Sequence, residues 1–303
     1  MIVPLSISCG ERMSTLRYLV QHSLKNISIS NFEIFPSKLF EGAFQRITII
    51  HGKKNSNEEN VRNVSRLHRW YSIERGALIN KINYTNICAD EILPLFGKYQ
   101  SQKHLNVISK ISRNKRNITH KCIKYDLYYI YYQEATNYWM KATALRVPFY
   151  KKNKQVGTPD HGRFLFFENE KTALITFAIL NSSLFYVWYI TYSDGFHLSD
   201  MLVKKFPLEE SLLANKQLVL IGQKLEKEIA KNSILTTRNM KDDNIEIESF
   251  RINLSKSIID EIDKVLAQHY GFTEEELDFI INYDIKYRMG DELNENRELQ
   301  VKN

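Results

Sequence analysis

Three sets of residues in this sequence carry the types that known chemistries use. Asp194, His197 and Ser199 supply the acid, base and nucleophile of a hydrolase triad, all within one turn. A triad needs the base to touch the nucleophile on one side and the acid on the other, which is normally achieved by bringing distant segments together. Residues this close cannot easily make both hydrogen bonds, and a helix-end or turn role accounts for them better. Asp160 with Glu168, Glu170 and Lys171 has the carboxylate-rich look of a PD…ExK nuclease site around Mg²⁺. The adjacency of Glu170 and Lys171 breaks the spacing that such a site requires. His104, His120 and Cys122 are metal-ligand types, but their spacing fits no zinc pattern and a fourth ligand is missing. Satisfied core or surface histidines are the plainer reading. No catalytic residue and no metal ligand is assigned.

Charge points toward a polyanion instead. The net charge is +7, modest for 303 residues, so its distribution carries the argument. No acidic residue occurs between Glu91 and Asp126, a window that holds Lys98, Lys103, Lys110, Arg113, Lys115, Arg116, Lys121 and Lys124. A second basic run is Lys141, Arg146, Lys151, Lys152 and Lys154. Such runs suit phosphate contacts, and they also suit a plain solvated face. The three cysteines, Cys9, Cys88 and Cys122, form no CxxC and are odd in number. This argues for a reducing compartment, hence a cytoplasmic location, and no secretory signal opens the sequence.

The elements that must position these residues are read from periodicity. A buried strand is expected over 1–9. A helix over 11–22 is expected to present Met13, Leu16, Leu19 and Val20 on one face. Further strands are expected at 27–35 and 45–51, with a loop at 36–44 between them. The polar run 52–62 marks a loop or boundary. A strand-like run follows at 68–73, then a short helix near Cys88–Tyr99 and a tyrosine-rich strand at 125–133, with the loop EATNYWMKA after it. A long apolar helix over 171–192 ends at Ser193-Asp194-Gly195. Lys171, Asn181, Ser182 and Ser183 interrupt it, which favours a buried core helix over a membrane span. A polar turn, Phe196–Asp200, leads to a strand-like Val203–Pro207. The spacing predicts amphipathic helices over 212–232 and 250–269, a polar linker at 234–246, and a last helix capped by Thr273 in a T-E-E-E box. The tail after Gly290 reads as disordered.

Several segments in order resemble one family. Residues 161–207, HGRFLFFENEKTALITFAILNSSLFYVWYITYSDGFHLSDMLVKKFPL, with YYIYYQEATNYWMKA and VPFY before them, resemble a TaqI-like specificity domain. That domain belongs to adenine-specific DNA methyltransferases of the combined restriction-modification (type IIG) kind. Residues 1–50, MIVPLSIS…STLRYLVQ…ISNFEIFPSKLFEGAFQRITII, are similar to the end of the methyltransferase domain in that family. IDEIDKVLAQHYGFTEEELDFIINYDIKYRMG resembles its usual ending.

The resemblance implies an α/β region followed by α+β. Terminal strands of a Rossmann-like methyltransferase sheet would come first, then a mixed target-recognition domain and C-terminal helices. The implied segments are 1–55, an incomplete end of the methyltransferase domain; 60–210, target recognition; 211–290, helical; and 291–303, disordered. It implies double-stranded DNA as partner. Phe40, with Phe44 as runner-up, would be the loop aromatic that stacks on a flipped adenine. For Phe40 the competing reading is hairpin core packing. Phosphate and base-edge contacts are expected from Lys110, Arg113, Lys115, Arg116, Lys141, Arg146 and His197, with the loops around Thr136–Lys141 and Gly195–Asp200 reading the bases. For each, a salt bridge, cap or solvated side chain is the alternative. The complete enzyme would use S-adenosyl-L-methionine.

The chain departs from the family in one decisive respect. No two of its eleven glycines are separated by a single residue, and its six prolines are never adjacent. The sequence therefore carries neither a glycine-rich donor turn nor an Asn-Pro-Pro-aromatic or Asp-Pro-Pro-aromatic tetrapeptide. In the family these motifs precede the strand matched by Ile2-Val3-Pro4. The expectation is a C-terminal portion that is catalytically incomplete by itself: a split subunit, a truncated product or an excised piece. A binding or assembly subunit that completes another polypeptide's sheet stays open. So does an unrelated RNA-binding protein stacking bases on Tyr128, Tyr129, Tyr131 or Tyr132, of which alternation puts only half on one face.

Overall fold

The computed structural model describes residues 1–54, 61–87, 93–240 and 243–290. The expectations for Cys88 and for the tail 291–303 lie outside them, as does most of the expected 52–62 loop. The chain is of mixed α+β class and divides into two compact units, residues 1–112 with 188–197, and residues 113–187 with 198–303. This division follows contacts in space, whereas the segments 1–55, 60–210 and 211–290 follow the family resemblance.

The first unit is built on a five-stranded sheet of order β1-β3-β2-β4-β5, from β1 (Ile2–Pro4), β2 (Lys25–Phe32), β3 (Ile47–Lys53), β4 (Arg62–His68) and β5 (Thr85–Ile87). All pairings are antiparallel except β2 with β4, which run parallel. Ile27, Ile29, Ile47, Ile50, Val64 and Leu67 fill its buried surface. The expected strand at 1–9 is cut short: after Pro4 the chain turns into the one-turn helix α1 (Ser6–Cys9). Helix α2 (Ser14–Ser23) forms as expected, but with a different inner face. Val20 is buried beside Arg17, while Leu16 and Leu19 are exposed. The Arg17 guanidinium donates to the carbonyls of Ile7 (3.0 Å) and Gly10 (2.7 Å). A short helix leaves its last carbonyls open, and satisfying them fixes which face of α2 turns inward. Residues 93–99, within the expected short helix, are not helical. Helix α3 (Gln102–Ile111) starts at Ser101, whose side chain accepts from the His104 amide, and buries Val107, Ile108 and Ile111.

The second unit holds two sheets. One has the order β10-β6-β7, from β6 (Tyr128–Gln133), β7 (Ala142–Ala144) and β10 (Gly162–Phe167). The other has the order β11-β12-β8-β9, from β8 (Tyr150–Lys152), β9 (Gln155–Val156), β11 (Ile234–Met240) and β12 (Asp243–Ser249). The hairpin β11–β12 replaces the expected polar linker. Its charged residues hide an alternation of Ile245 and Ile247 that becomes a strand once β12 pairs with β8.

The expected single helix over 171–192 is two helices, α4 (Glu170–Asn181) and α5 (Ser183–Tyr192), bent by 64° at Ser182. Asp263 explains the break. Its carboxylate accepts from the backbone amides of Ser183 (3.1 Å) and Leu184 (3.0 Å), capping a fresh helix N-terminus. Helix α4 is apolar all round because it packs on β6, β7 and β10 and also on later helices. No single helix among the described residues is long and apolar enough to cross a membrane.

The strand expected at 203–207 is instead the end of helix α6 (Asp200–Lys204), which Ser199 caps by accepting from the Leu202 amide. Helix α7 (Lys216–Asn232) comes so close to α4 that a Cβ on Gly222 would lie 2.9 Å from the Leu174 carbonyl oxygen. Helix α8 (Lys256–Tyr270) ends at Gly271, in the left-handed conformation. The expected Thr273–Glu276 capping box opens α9 (Glu274–Asn282), and α10 (Ile285–Arg288) follows.

Candidate nucleic-acid interface

The first unit presents a loop and a turn that meet at the loop's root. The loop runs from Glu33 to Arg46 between β2 and β3. At its root the Glu33 carboxylate lies 2.5 Å from Arg46 Nε and 3.6 Å from a terminal nitrogen of Arg69, and both Glu33 and Arg69 side chains are buried. Burial pushes the Glu33 carboxyl up, against the pull of Arg69 and Arg46. Beyond the root, Leu39 packs on Phe32, Trp70 and Leu78, and the Arg75 guanidinium donates to the carbonyls of Lys38 (3.1 Å) and Leu39 (2.6 Å). The chain then reverses at Gly42, whose φ is +79°. These anchors leave the loop's aromatics outside. Phe40 is 40% exposed and Phe44 is 69% exposed, with Phe35 edge-on to Phe44 at 5.6 Å. Leu39 takes the packing at the base of the hairpin, and Phe40 is exposed over less than half of its surface.

The turn Ser193–His197 is a knot of local hydrogen bonds. Asp194 Oδ1 accepts from the amides of Phe196 (2.8 Å) and His197 (2.7 Å), and Oδ2 lies 2.6 Å from His197 Nδ1. Burial disfavours the Asp194 carboxylate, but the hydrogen bonds from His197 and Phe196 outweigh it and hold the carboxyl below its ordinary value. Gly195 has φ +82°, and a Cβ there would lie 2.5 Å from Glu33 Oε2. The Arg46 guanidinium sits over the Phe196 ring at 5.6 Å. The loop carrying Phe40 and Phe44 and the turn carrying exposed His197 thus share one foundation of Glu33, Arg46 and Arg69. Sequence reasoning missed that foundation, since none of the three stands in a motif. The triad letters separate: Asp194 serves His197, while Ser199 serves as the cap of α6.

Behind the turn lies a buried polar network in the same unit. His104 Nε2 is 2.7 Å from the Thr191 hydroxyl, the Lys98 ammonium donates to the Thr191 carbonyl (2.7 Å), and the hydroxyls of Tyr99 and Tyr192 lie 2.9 Å apart. Burial, then the charges of Arg66 and Lys98, push the His104 imidazole down to about 3. His104 is thus a neutral core side chain. Among the described residues no group of three His, Cys, Asp or Glu side chains could hold a metal ion. Lys110 lies half-buried in the last turn of α3.

In the second unit the basic residues divide. Arg113 and Lys115 are exposed, and neither forms an ion pair among the described residues. Arg116 and Lys121 share the exposed carboxylate of Glu210 at 3.1 and 2.6 Å. Arg146 departs from the expected role. Its guanidinium is bound by Glu226 on α7 (2.5 Å) and by both oxygens of Glu248 on β12 (3.0 Å each). A cation held by two carboxylates in this way ties elements together and is poorly placed for a phosphate. Lys141 is exposed, its ammonium 3.5 Å from the Ala135 carbonyl; the crowding around it, then the nearby Arg238 charge, lower its pKa. The rest of the Thr136–Lys141 loop is turned inward. Thr136 is buried and bonds the Trp139 carbonyl, Trp139 Nε1 donates to the Arg288 carbonyl (2.9 Å), and the Arg288 guanidinium lies 4.0 Å from the Trp139 ring centre. Of that loop, Lys141 alone is exposed.

No family model matches this chain, and no curated protein matches it.

Proposed function

We propose that the chain reads duplex DNA as the C-terminal, target-recognising part of an adenine-specific DNA methyltransferase of the combined restriction-modification kind. The observation that carries this reading is the rooted loop with outward Phe40 and Phe44, set beside the His197 turn. A base taken out of the duplex loses its stacking energy, and an aromatic face on a firmly held loop returns part of it. Arg113, Lys115, Arg116 and Lys141 supply phosphate contacts in this reading, and His197 a base-edge contact. The five-stranded sheet takes the place of the terminal strands of a Rossmann-like methyltransferase domain. The complete enzyme uses S-adenosyl-L-methionine in the cytoplasm. This chain has no glycine-rich donor turn and no catalytic tetrapeptide, so it recognises the target and does not itself transfer the methyl group.

The test uses the full chain and a fluorescent duplex carrying 2-aminopurine opposite an abasic site, where base extrusion costs least. Binding should weaken steeply as salt rises, because phosphate contacts release counterions. The 2-aminopurine signal should respond in the wild type and not in the Phe40→Ala, Phe44→Ala double variant. A salt-independent affinity, or an unchanged signal in the double variant, would overturn the reading. Methyl transfer to DNA by this chain alone would overturn the division of labour.

A second reading has its own observation. Ile2 on the edge strand β1 and Leu16 and Leu19 on α2 are exposed apolar side chains. Open apolar edges invite strand addition. They favour an assembly subunit that completes the sheet of a polypeptide carrying the donor site. Co-purification with such a polypeptide, and loss of it in a Leu16→Glu, Leu19→Glu variant, distinguishes this from a free-standing reader.

A further inference from the structure

The sheet β10-β6-β7 of the second unit has two unlike faces. On one, Ile130, Leu165 and Phe167 are buried. On the other, the antiparallel register sets Tyr129 opposite Phe166 and Tyr131 opposite Phe164. The rings there pack on one another. Phe164 and Phe166 are nearly coplanar in tilt, 14° apart at 6.1 Å, Tyr129 stands edge-on to Phe164 at 5.8 Å, and Tyr125 leans on Phe166 at 5.0 Å. One end of the row is closed: the Tyr131 ring lies across Gly162, where a Cβ would come within 2.3 Å of it, and Tyr131 is fully buried. The other end is open. Tyr125 is 78% exposed, and Phe164 and Phe166 are half-buried.

A basic segment leads onto this open end. Residues 113–124 are fixed by backbone hydrogen bonds from Leu208 to Arg116 (3.0 Å), from Ile118 to Phe206 (3.1 Å) and from Ile123 to Phe166 on β10 (2.9 Å). Arg113, Lys115 and Lys124 are exposed along it and form no ion pair among the described residues. The nearby Asp126 carboxylate accepts from the Leu127 amide at 2.5 Å. Cations along a fixed segment followed by stacked, partly open rings are the combination that binds single-stranded nucleic acid, the charges tracking phosphates and the rings taking successive bases. Bases in a duplex already stack on each other and cannot reach such rings. An apolar peptide would find the rings but no use for the cations.

The geometry points to a second nucleic-acid surface, one for single strands, in which unpaired bases stack on Tyr125, Phe166 and Phe164 and phosphates run along Arg113, Lys115 and Lys124. It goes beyond duplex recognition: it uses none of the first unit's residues, adds Lys124 and the rings of the sheet, and shares only the cations Arg113 and Lys115 with the duplex contacts proposed above.

The test is fluorescence anisotropy of the full chain with oligothymidylate and oligouridylate of about twelve nucleotides, within the usual span of such sites, and with a duplex of equal length. Tyr125→Ala should weaken binding to the single strand on the order of tenfold, the loss of one stacked base, while Tyr125→Phe, which keeps the ring, binds as the wild type. The triple variant Arg113→Ala, Lys115→Ala, Lys124→Ala should weaken it further and flatten its salt dependence. Duplex affinity should not move with Tyr125→Ala. Tighter binding of oligothymidylate than of oligouridylate identifies the strand as DNA, and the reverse order as RNA; either supports the surface. No binding of either oligonucleotide at low salt, or equal binding by wild type and Tyr125→Ala, overturns it. Because Tyr125 is largely exposed, its removal should leave the circular dichroism spectrum and the melting temperature unchanged. A Phe40→Ala, Phe44→Ala variant that still binds single strands separates the two surfaces.

Discussion

Two of the places where the molecule shows aromatic side chains to solvent hold them in opposite ways. In the first unit Phe35, Phe40 and Phe44 stand on a loop that is fixed at its root by Glu33, Arg46 and Arg69 and along one side by Arg75. In the second unit Tyr129, Phe164 and Phe166 stand on a hydrogen-bonded sheet whose register sets their rings, and Tyr125 leans on Phe166 beside it. A loop tip can follow a single base that leaves its stack, whereas a sheet offers rings at fixed spacing to several bases in a row. In the two proposed surfaces, what lies beneath a ring, and not its exposure alone, sets how many bases it could serve.

The loop's root should show the largest effect. Glu33→Ala removes the carboxylate between Arg46 and Arg69 in a buried setting. Loss of one partner of such a group typically costs about 3–5 kcal/mol. A fall in the melting temperature of the full chain, with loss of the 2-aminopurine response, is expected. The sheet surface should keep its single-strand binding under conditions where the variant is folded.

Acid should next separate the two units. Burial holds His104, in the first unit, at about 3, well below the unfolded value of about 6.5. The unfolded state therefore takes up the proton first, and stability is lost as pH falls from about 6.5 toward 3, by on the order of 5 kcal/mol. Asp263, in the second unit, has the opposite sign. Burial, opposed by the bonds from Leu184 and Ser183, raises it to about 6, above its unfolded value. The folded state holds the extra proton, so this contribution rises as pH falls from about 6 to 4, by on the order of 2 kcal/mol. Chemical denaturation across pH should show each slope missing in His104→Gln and Asp263→Asn respectively. A wild-type slope in either variant would assign that pH dependence elsewhere.

At the surface the expected effects are smaller. Phe40→Ala and Phe44→Ala should each weaken duplex binding by about 1–3 kcal/mol if they stack on a base, and change stability by less than about 0.5 kcal/mol. Arg146→Ala should do the reverse. It destabilises the fold by separating Glu226 and Glu248 from their shared cation, with no change in the salt slope of DNA binding.

Local signals were legible in the sequence and long-range ones were not. The Thr273 capping box, the Gly271 helix end and the turn at Asp194-Gly195 act through neighbours in the chain, and the structure has each where the residues indicate. The bend at Ser182 depends on Asp263, eighty residues away, and no local pattern announces it. The inner face of α2 was misread because a guanidinium took a core position ahead of two leucines, drawn by the open carbonyls of Ile7 and Gly10. The hairpin β11–β12 looked like a linker because its charges outweigh its isoleucines until β8 is beside it. At the candidate interface, Phe40, Phe44 and His197 can be singled out from type and position, and all three side chains reach solvent. The frame of Glu33, Arg46 and Arg69 could not, because it exists only in three dimensions.

Gly195 leaves no room for a side chain beside the Glu33 carboxylate, and that has a consequence for how this surface could change over generations. The seat of the turn is closed to substitution, whereas Phe40, Phe44 and His197 reach solvent above it. On the proposed function these are the positions at which specificity can be rewritten like type set in a fixed forme, and a library randomised at those three positions should yield folded variants where one randomised at 195 should not.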